Sequence, residues 1–97
     1  MDKQIVLTRL TNCMEEIKKR FSVKALAIFG SIVRDEAIHN SDVDVLVVFE
    51  NKGSFDLFMD LKFYLEELLG TQVDLVTDKA LRPQVRKVIE QEMIHVA

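Results

Sequence analysis

Apolar residues recur at alternating intervals of three and four along the first part of the chain, at Leu7, Leu10, Met14, Ile17 and Phe21. That is the stripe of an amphipathic helix and predicts one from Gln4 to Arg20, with Lys, Arg, Glu and Asn on its polar face. The pattern then changes period. Lys24 to Phe29 reads as a short buried strand stopping at Gly30, with Ser31 placed to cap a short helix running to about Ala37. His39, Asn40 and Ser41 form a loop. Val43 to Phe49 is a β-branched run with Val43, Val45, Val47 and Phe49 on one face and Asp44, Leu46 and Val48 on the other. Gly53 and Ser54 open a second amphipathic helix, whose core side is Phe58, Leu61, Leu65 and Leu68 and whose stop is Gly70. Val73 to Thr77 is a third strand. Pro83 suits the first turn of a last helix carrying Val85, Val88, Ile89 and Met93 inward and Arg82, Arg86, Lys87 and Glu90 outward.

The order α-β-α-β-α-β-α predicts an α/β (α+β) fold, a small mixed sheet of three or more strands flanked by helices. With 97 residues and 48% apolar content, the chain is expected to form a single domain over residues 1–97. No apolar tract approaches the roughly 18–20 residues of a membrane span, and charge begins at Asp2 and Lys3, so the expectation is a cytosolic protein without a membrane partner. A lone cysteine, Cys13, fits a reducing compartment and reads as a small packing residue. The net charge of −3 argues against extensive binding of nucleic-acid backbones, although a bound metal would reverse the field locally.

Three acids change the picture. The crossover helix between Phe49 and Val73 predicts parallel neighbouring strands, with Asp44 and Asp74 near their beginnings at one edge. Asp42 lies two residues before Asp44 and projects to the same face. If the first strand runs antiparallel to the second, Gly30 and Ser31 arrive at that edge too. Three converging carboxylates repel one another, raise their own pKa values and call for a cation. Mg²⁺ suits them, because it takes hard oxygen ligands and fills its remaining positions with water and substrate phosphates. The plain alternative is that Asp42 and Asp44 are solvated acids at a strand's start and Asp74 lies elsewhere. The turn at Gly30 and Ser31 offers backbone N–H groups and a hydroxyl to an anion, and Arg34 lies one turn further on, within reach of phosphate. A simple turn with a surface arginine is the bland reading of the same residues.

Taken together, GSIVRDEAIHNSDVDVLVVF and TQVDLVT resemble the minimal nucleotidyltransferase (MNT) domains of the DNA polymerase β-like superfamily, including MNT-type antitoxins. The likeness runs from the first helix to the C-terminal Ile-His-Val-Ala and departs at Ile32, where an Arg often follows the Ser. It implies transfer of AMP from ATP to a hydroxyl with loss of pyrophosphate. Asp42, Asp44 and Asp74 would be the catalytic and metal-binding residues, the first two bridging two Mg²⁺ ions about 4 Å apart. Gly30, Ser31 and Arg34 would bind the triphosphate. It also implies a HEPN toxin as partner, modified on a tyrosine, with this chain as its antitoxin. A purely stoichiometric antitoxin is the second reading, and nucleotidylation of a small molecule a third, weakened by the want of an acceptor-binding domain. Homo- or hetero-oligomers both remain open. Phe63, on a helix face with Asp56, Asp60 and Glu67, reads either as an exposed aromatic contact or as the edge of the core. His39 and His95 read as solvated side chains rather than ligands.

Overall fold

The computed structural model describes residues 2–36, 42–51 and 54–96. Its elements are α1 (Lys3–Phe21), β1 (Val23–Phe29), a 3₁₀ turn (Gly30–Ile32), β2 (Val43–Phe49), α2 (Phe55–Leu69), β3 (Val73–Thr77), a second 3₁₀ turn (Asp78–Ala80), α3 (Pro83–Glu92) and β4 (Ile94–His95). The strands lie in the order β3-β2-β1-β4, with β1 antiparallel to both β2 and β4, and β2 parallel to β3. The mixed sheet and the three long helices agree with the expected fold class, and β4 is an addition to it. The last helix stops at Glu92, and the chain turns extended at Met93 to lay Ile94 and His95 beside Ile28 and Ala27.

Helix boundaries follow local chemistry. The Asp2 carboxylate accepts from the Ile5 N–H at 3.0 Å and the Ser54 hydroxyl oxygen from the Leu57 N–H at 3.0 Å, satisfying amides that have no partner within the helix. At the end of α2 Gly70 takes φ +70, a left-handed conformation that ends the helix without strain. The Arg9 guanidinium donates to the Leu69 carbonyl at 3.2 Å, tying α1 to the same end.

α1 and α2 share one face of the sheet. Val6, Leu10, Met14, Ile17 and Phe21 meet Leu61, Leu65 and Leu69 over Leu26, Ile28, Val43, Val45, Val47, Val73 and Leu75. The buried row of α2 thus ends in Leu69 rather than Leu68, which is half-buried together with Phe58. Val23 joins this face although Leu26 and Ile28 have the opposite parity, because the pairing of β1 with β2 shifts between Val23 and Ala25. Replacing Leu65 by alanine is expected to lower stability by about 2–4 kcal/mol in urea unfolding, since its side chain is fully buried in this layer.

The opposite face is narrower. Ile89 packs on Ala27 and Leu46, with Phe29, Val76, Leu81 and Met93 around them. Here the expectation for the last helix needs correction: Ile89 and Met93 turn inward, but Val85 is 46% and Val88 60% exposed. Among the described residues one ten-residue helix covers this side, and its buried residue is Ile89, in its C-terminal half. Arg82, Arg86 and Lys87 are outward as expected, with Arg86 donating to the Asp78 carbonyl. Among the described residues no helix is long and apolar enough to cross a membrane.

Candidate active site

The acids are brought together by the register of β2 with β3. Val43 lies opposite Val73, and Asp44 opposite Asp74. Parallel strands in this register carry both acidic side chains to the α3 side, the side of Leu46 and Val76, while Val43, Val45, Val73 and Leu75 pack against α1 and α2. The beginnings of the two strands are clamped locally. The Val43 N–H donates to the Gln72 carbonyl at 3.0 Å, and the Val73 N–H to Glu66 Oε2 at 3.0 Å. Asp42 stands exposed just before β2, Asp44 is half-buried and Asp74 is exposed on the edge strand.

β1 enters from the other side. Antiparallel pairing sets Phe29 opposite Asp44, so the chain leaves β1 against the acid. Gly30 is buried there with φ +80. A Cβ at this position would lie 3.0 Å from Asp44 Cγ and overlap Oδ2. Glycine is therefore required twice, for the left-handed backbone and for the approach of the carboxylate.

The segment after Gly30 is shorter than expected. Ser31 does not cap a helix but lies inside a single turn, in which the Val33 and Arg34 N–H groups both donate to the Gly30 carbonyl. Asp35 then adopts φ 59, and the Glu36 N–H closes back on the Ser31 carbonyl at 2.9 Å, a helix-terminating bond. Ala37 and His39 lie outside the described residues. His95 is exposed on β4, in accord with a solvated reading.

Electrostatics report the convergence. Burial pushes the Asp44 carboxyl from its ordinary 3.8 up to about 6, and the charges of Asp74 and then Asp42 add to the rise, with Arg34 opposing and Glu92 contributing. Among the described residues no three acid, imidazole or thiol groups form a closed set around one point. The carboxylates share a neighbourhood without making a ready cage.

Glu92 is the residue that sequence reasoning missed. Its Oε1 accepts from the Gly30 N–H at 3.0 Å and from Arg34 Nη1 at 3.1 Å, and its Oε2 from Arg34 Nη1 at 2.8 Å. Arg34 Nε is held by Glu36 at 2.9 Å. The hydrogen bonds to Glu92 and then Glu36 raise the Arg34 pKa, and the same Arg34 bond lowers that of Glu92. Glu92 is separated from its partners by 62 and 58 residues, and an acid at a helix end carries no local sign of such a contact. Phe63 is 56% exposed on α2, outside the core that the alternative reading gave it.

The chain matches the nucleotidyltransferase domain family over residues 10–96. It is 44% identical over 87 residues to the protein adenylyltransferase MntA of Thermococcus cleftensis, covering 90% of this chain and 88% of that protein. A solved minimal nucleotidyltransferase structure superposes with a TM-score of 0.82 at 34% identity, over 97% of this chain and 95% of the other. The fold also recurs in a toxin–antitoxin MntA–HepT structure, with TM-score 0.70 and 16% identity, over 98% of this chain and 72% of that one. Gly30 and Ser31 after one strand, Asp44 at the start of the next and Asp74 beside it thus stand on a fold that this chain shares with those proteins, and the chain belongs to the nucleotidyltransferase domain family, in its minimal form.

Proposed function

We propose that this protein transfers AMP from ATP to a hydroxyl, a tyrosine hydroxyl of a HEPN toxin, and acts as that toxin's antitoxin. The observation that carries the reading is the register of Asp44 with Asp74 beside the Gly30 turn, combined with the activity that names the Thermococcus relative. In the reaction the acceptor oxygen bonds to the α-phosphorus of ATP, the bond to pyrophosphate breaks, and the hydroxyl proton is lost. Asp42, Asp44 and Asp74 are the residues that would hold Mg²⁺, and their chemistry fits it: hard carboxylate oxygens beside one another that close no cage of their own, with Asp44 among negative neighbours, leaving ligand positions to water and substrate. Bound there, the metal would supply charge compensation for the triphosphate and make the acceptor oxygen a better nucleophile.

The rest falls to the chain's own groups. Gly30 lets the backbone lie against the Asp44 carboxylate, the half-buried Ser31 brings a hydroxyl to the turn, and Arg34 is a cation in the same turn. Together they orient the phosphates, so that catalysis is largely positioning. Asp74, exposed on the edge strand, is open to an acceptor approaching from outside and suited to receive its proton.

The test is labelled ATP with Mg²⁺, this protein and a HEPN toxin. Label is expected on the toxin with the native chain and is expected to be lost with Asp74→Asn. Neutralisation of the toxin that survives unchanged in Asp74→Asn would instead establish stoichiometric masking.

A further inference from the structure

The geometry points to Glu92 as an internal competitor for the phosphates of the nucleotide, a carboxylate from the end of α3 that holds Gly30 and Arg34 until a polyphosphate displaces it. This rests on the assignment of the Gly30 turn and Arg34 to the triphosphate. Both oxygens of Glu92 are engaged, Oε1 by the Gly30 N–H and Arg34 Nη1, Oε2 by Arg34 Nη1 again. A carboxylate in that position presents what a phosphate would present, two anionic oxygens to an amide and a guanidinium. The two ligands are alternatives at the Gly30 N–H, a single donor that Glu92 Oε1 occupies, and at Arg34 Nη1, which serves both Glu92 oxygens.

The contact is built to be exchangeable. Glu92 is the final residue of α3, its side chain is 21% exposed, and Arg34 is 48% exposed, so water is at hand to replace either partner. It also adds negative charge to the surroundings of Asp44, and moving it away would ease the accumulation there. Directly after it, Met93 leaves the helix and β4 pairs with β1, which fixes the C-terminal end of α3 beside the turn and keeps the carboxylate at high local concentration.

The probe is inorganic tripolyphosphate with Mg²⁺ present, titrated into the native protein, Glu92→Gln, Glu92→Asp, and each with Arg34→Ala. Glu92→Gln is expected to bind about five- to tenfold more tightly than the native protein, Glu92→Asp to fall between, and both gains to shrink in the Arg34→Ala background, where competition at the Gly30 N–H alone is left. In the native protein the Gly30 amide resonance is expected to move, on adding tripolyphosphate, away from its carboxylate-bound position. A purely structural role for Glu92 would make both variants bind equally or more weakly, and that result, or a Gly30 amide that does not move, overturns the proposal. Loss of toxin labelling with the tripolyphosphate behaviour intact would sink the transfer reaction and leave the competition by Glu92 standing.

Discussion

Asp44→Asn is expected to reduce AMP transfer on the order of a thousandfold while making the metal-free protein more stable at neutral pH. The two effects have one cause. In the native chain the Asp44 carboxyl is pushed up to about 6 by burial and by Asp74 and Asp42. Between the unfolded value near 3.8 and the folded value the native state binds more protons than the unfolded state, so unfolding free energy falls as pH rises through that window and stays reduced above it. A shift of this size corresponds to about 3 kcal/mol at about 1.4 kcal/mol per unit. Asp44 is open enough to water for screening to reduce this to about 1–2 kcal/mol. Asparagine removes the charge, so its melting temperature at pH 7–8 is expected to exceed the native one by about 5–10 °C, with the gain disappearing toward pH 4. Thermal unfolding of both proteins across this pH range is the measurement, read as a difference so that Glu92, whose lowered pKa acts in the opposite sense at more acid pH, cancels. Mg²⁺ is expected to raise the native melting temperature and to leave that of Asp44→Asn nearly unchanged. An asparagine variant less stable than the native protein at pH 8 would mean that the acids do not oppose one another.

Gly30→Ala is expected to act in the reverse direction on stability, lowering it by about 2–4 kcal/mol, while also suppressing transfer. The left-handed φ of +80 penalises any Cβ, and this one would overlap the Asp44 carboxylate. Either the turn or the acid must shift, and a displacement near 1 Å at a reacting centre lowers rate by about a hundredfold. The pair Gly30→Ala and Asp44→Ala makes the test specific. Removing the carboxylate takes away the overlap, so the double variant is expected to recover part of the stability lost in Gly30→Ala, a coupling visible in a double-mutant cycle by urea denaturation. Strictly additive effects would show that Gly30 answers only to its backbone conformation.

Much of this architecture is legible from nearest-neighbour chemistry. A stripe at intervals of three and four can be buried only as a helix, so α1 and α2 follow from Leu10, Met14, Ile17, Leu61 and Leu65. Alternation from Val43 to Phe49 assigns Asp44 to the face opposite the valines, and a crossover through α2 makes β3 parallel to β2, which is enough to place Asp44 near Asp74. Strand and helix periodicities are properties of a few adjacent residues, and parallel crossover is a property of chain direction.

What only the tertiary structure decided are relations without a local signature. Met93 reads as helix in sequence, yet the free edge of β1 offers hydrogen bonds to Ile94 and His95 that a longer α3 would forgo. Val85 and Val88 read as core, but burial depends on what lies beneath the helix, and of α3 it is Ile89 that packs on Ala27 and Leu46. The turn after Gly30 closes at Asp35 because Glu36 returns to the Ser31 carbonyl. The meeting of Glu92 with Gly30 and Arg34 spans 62 and 58 residues, and nothing within a few residues of Glu92 demands a cation. Periodicity tells which side of an element is buried; the distance between two charges 58 residues apart is set only when the sheet that lies between them has assembled.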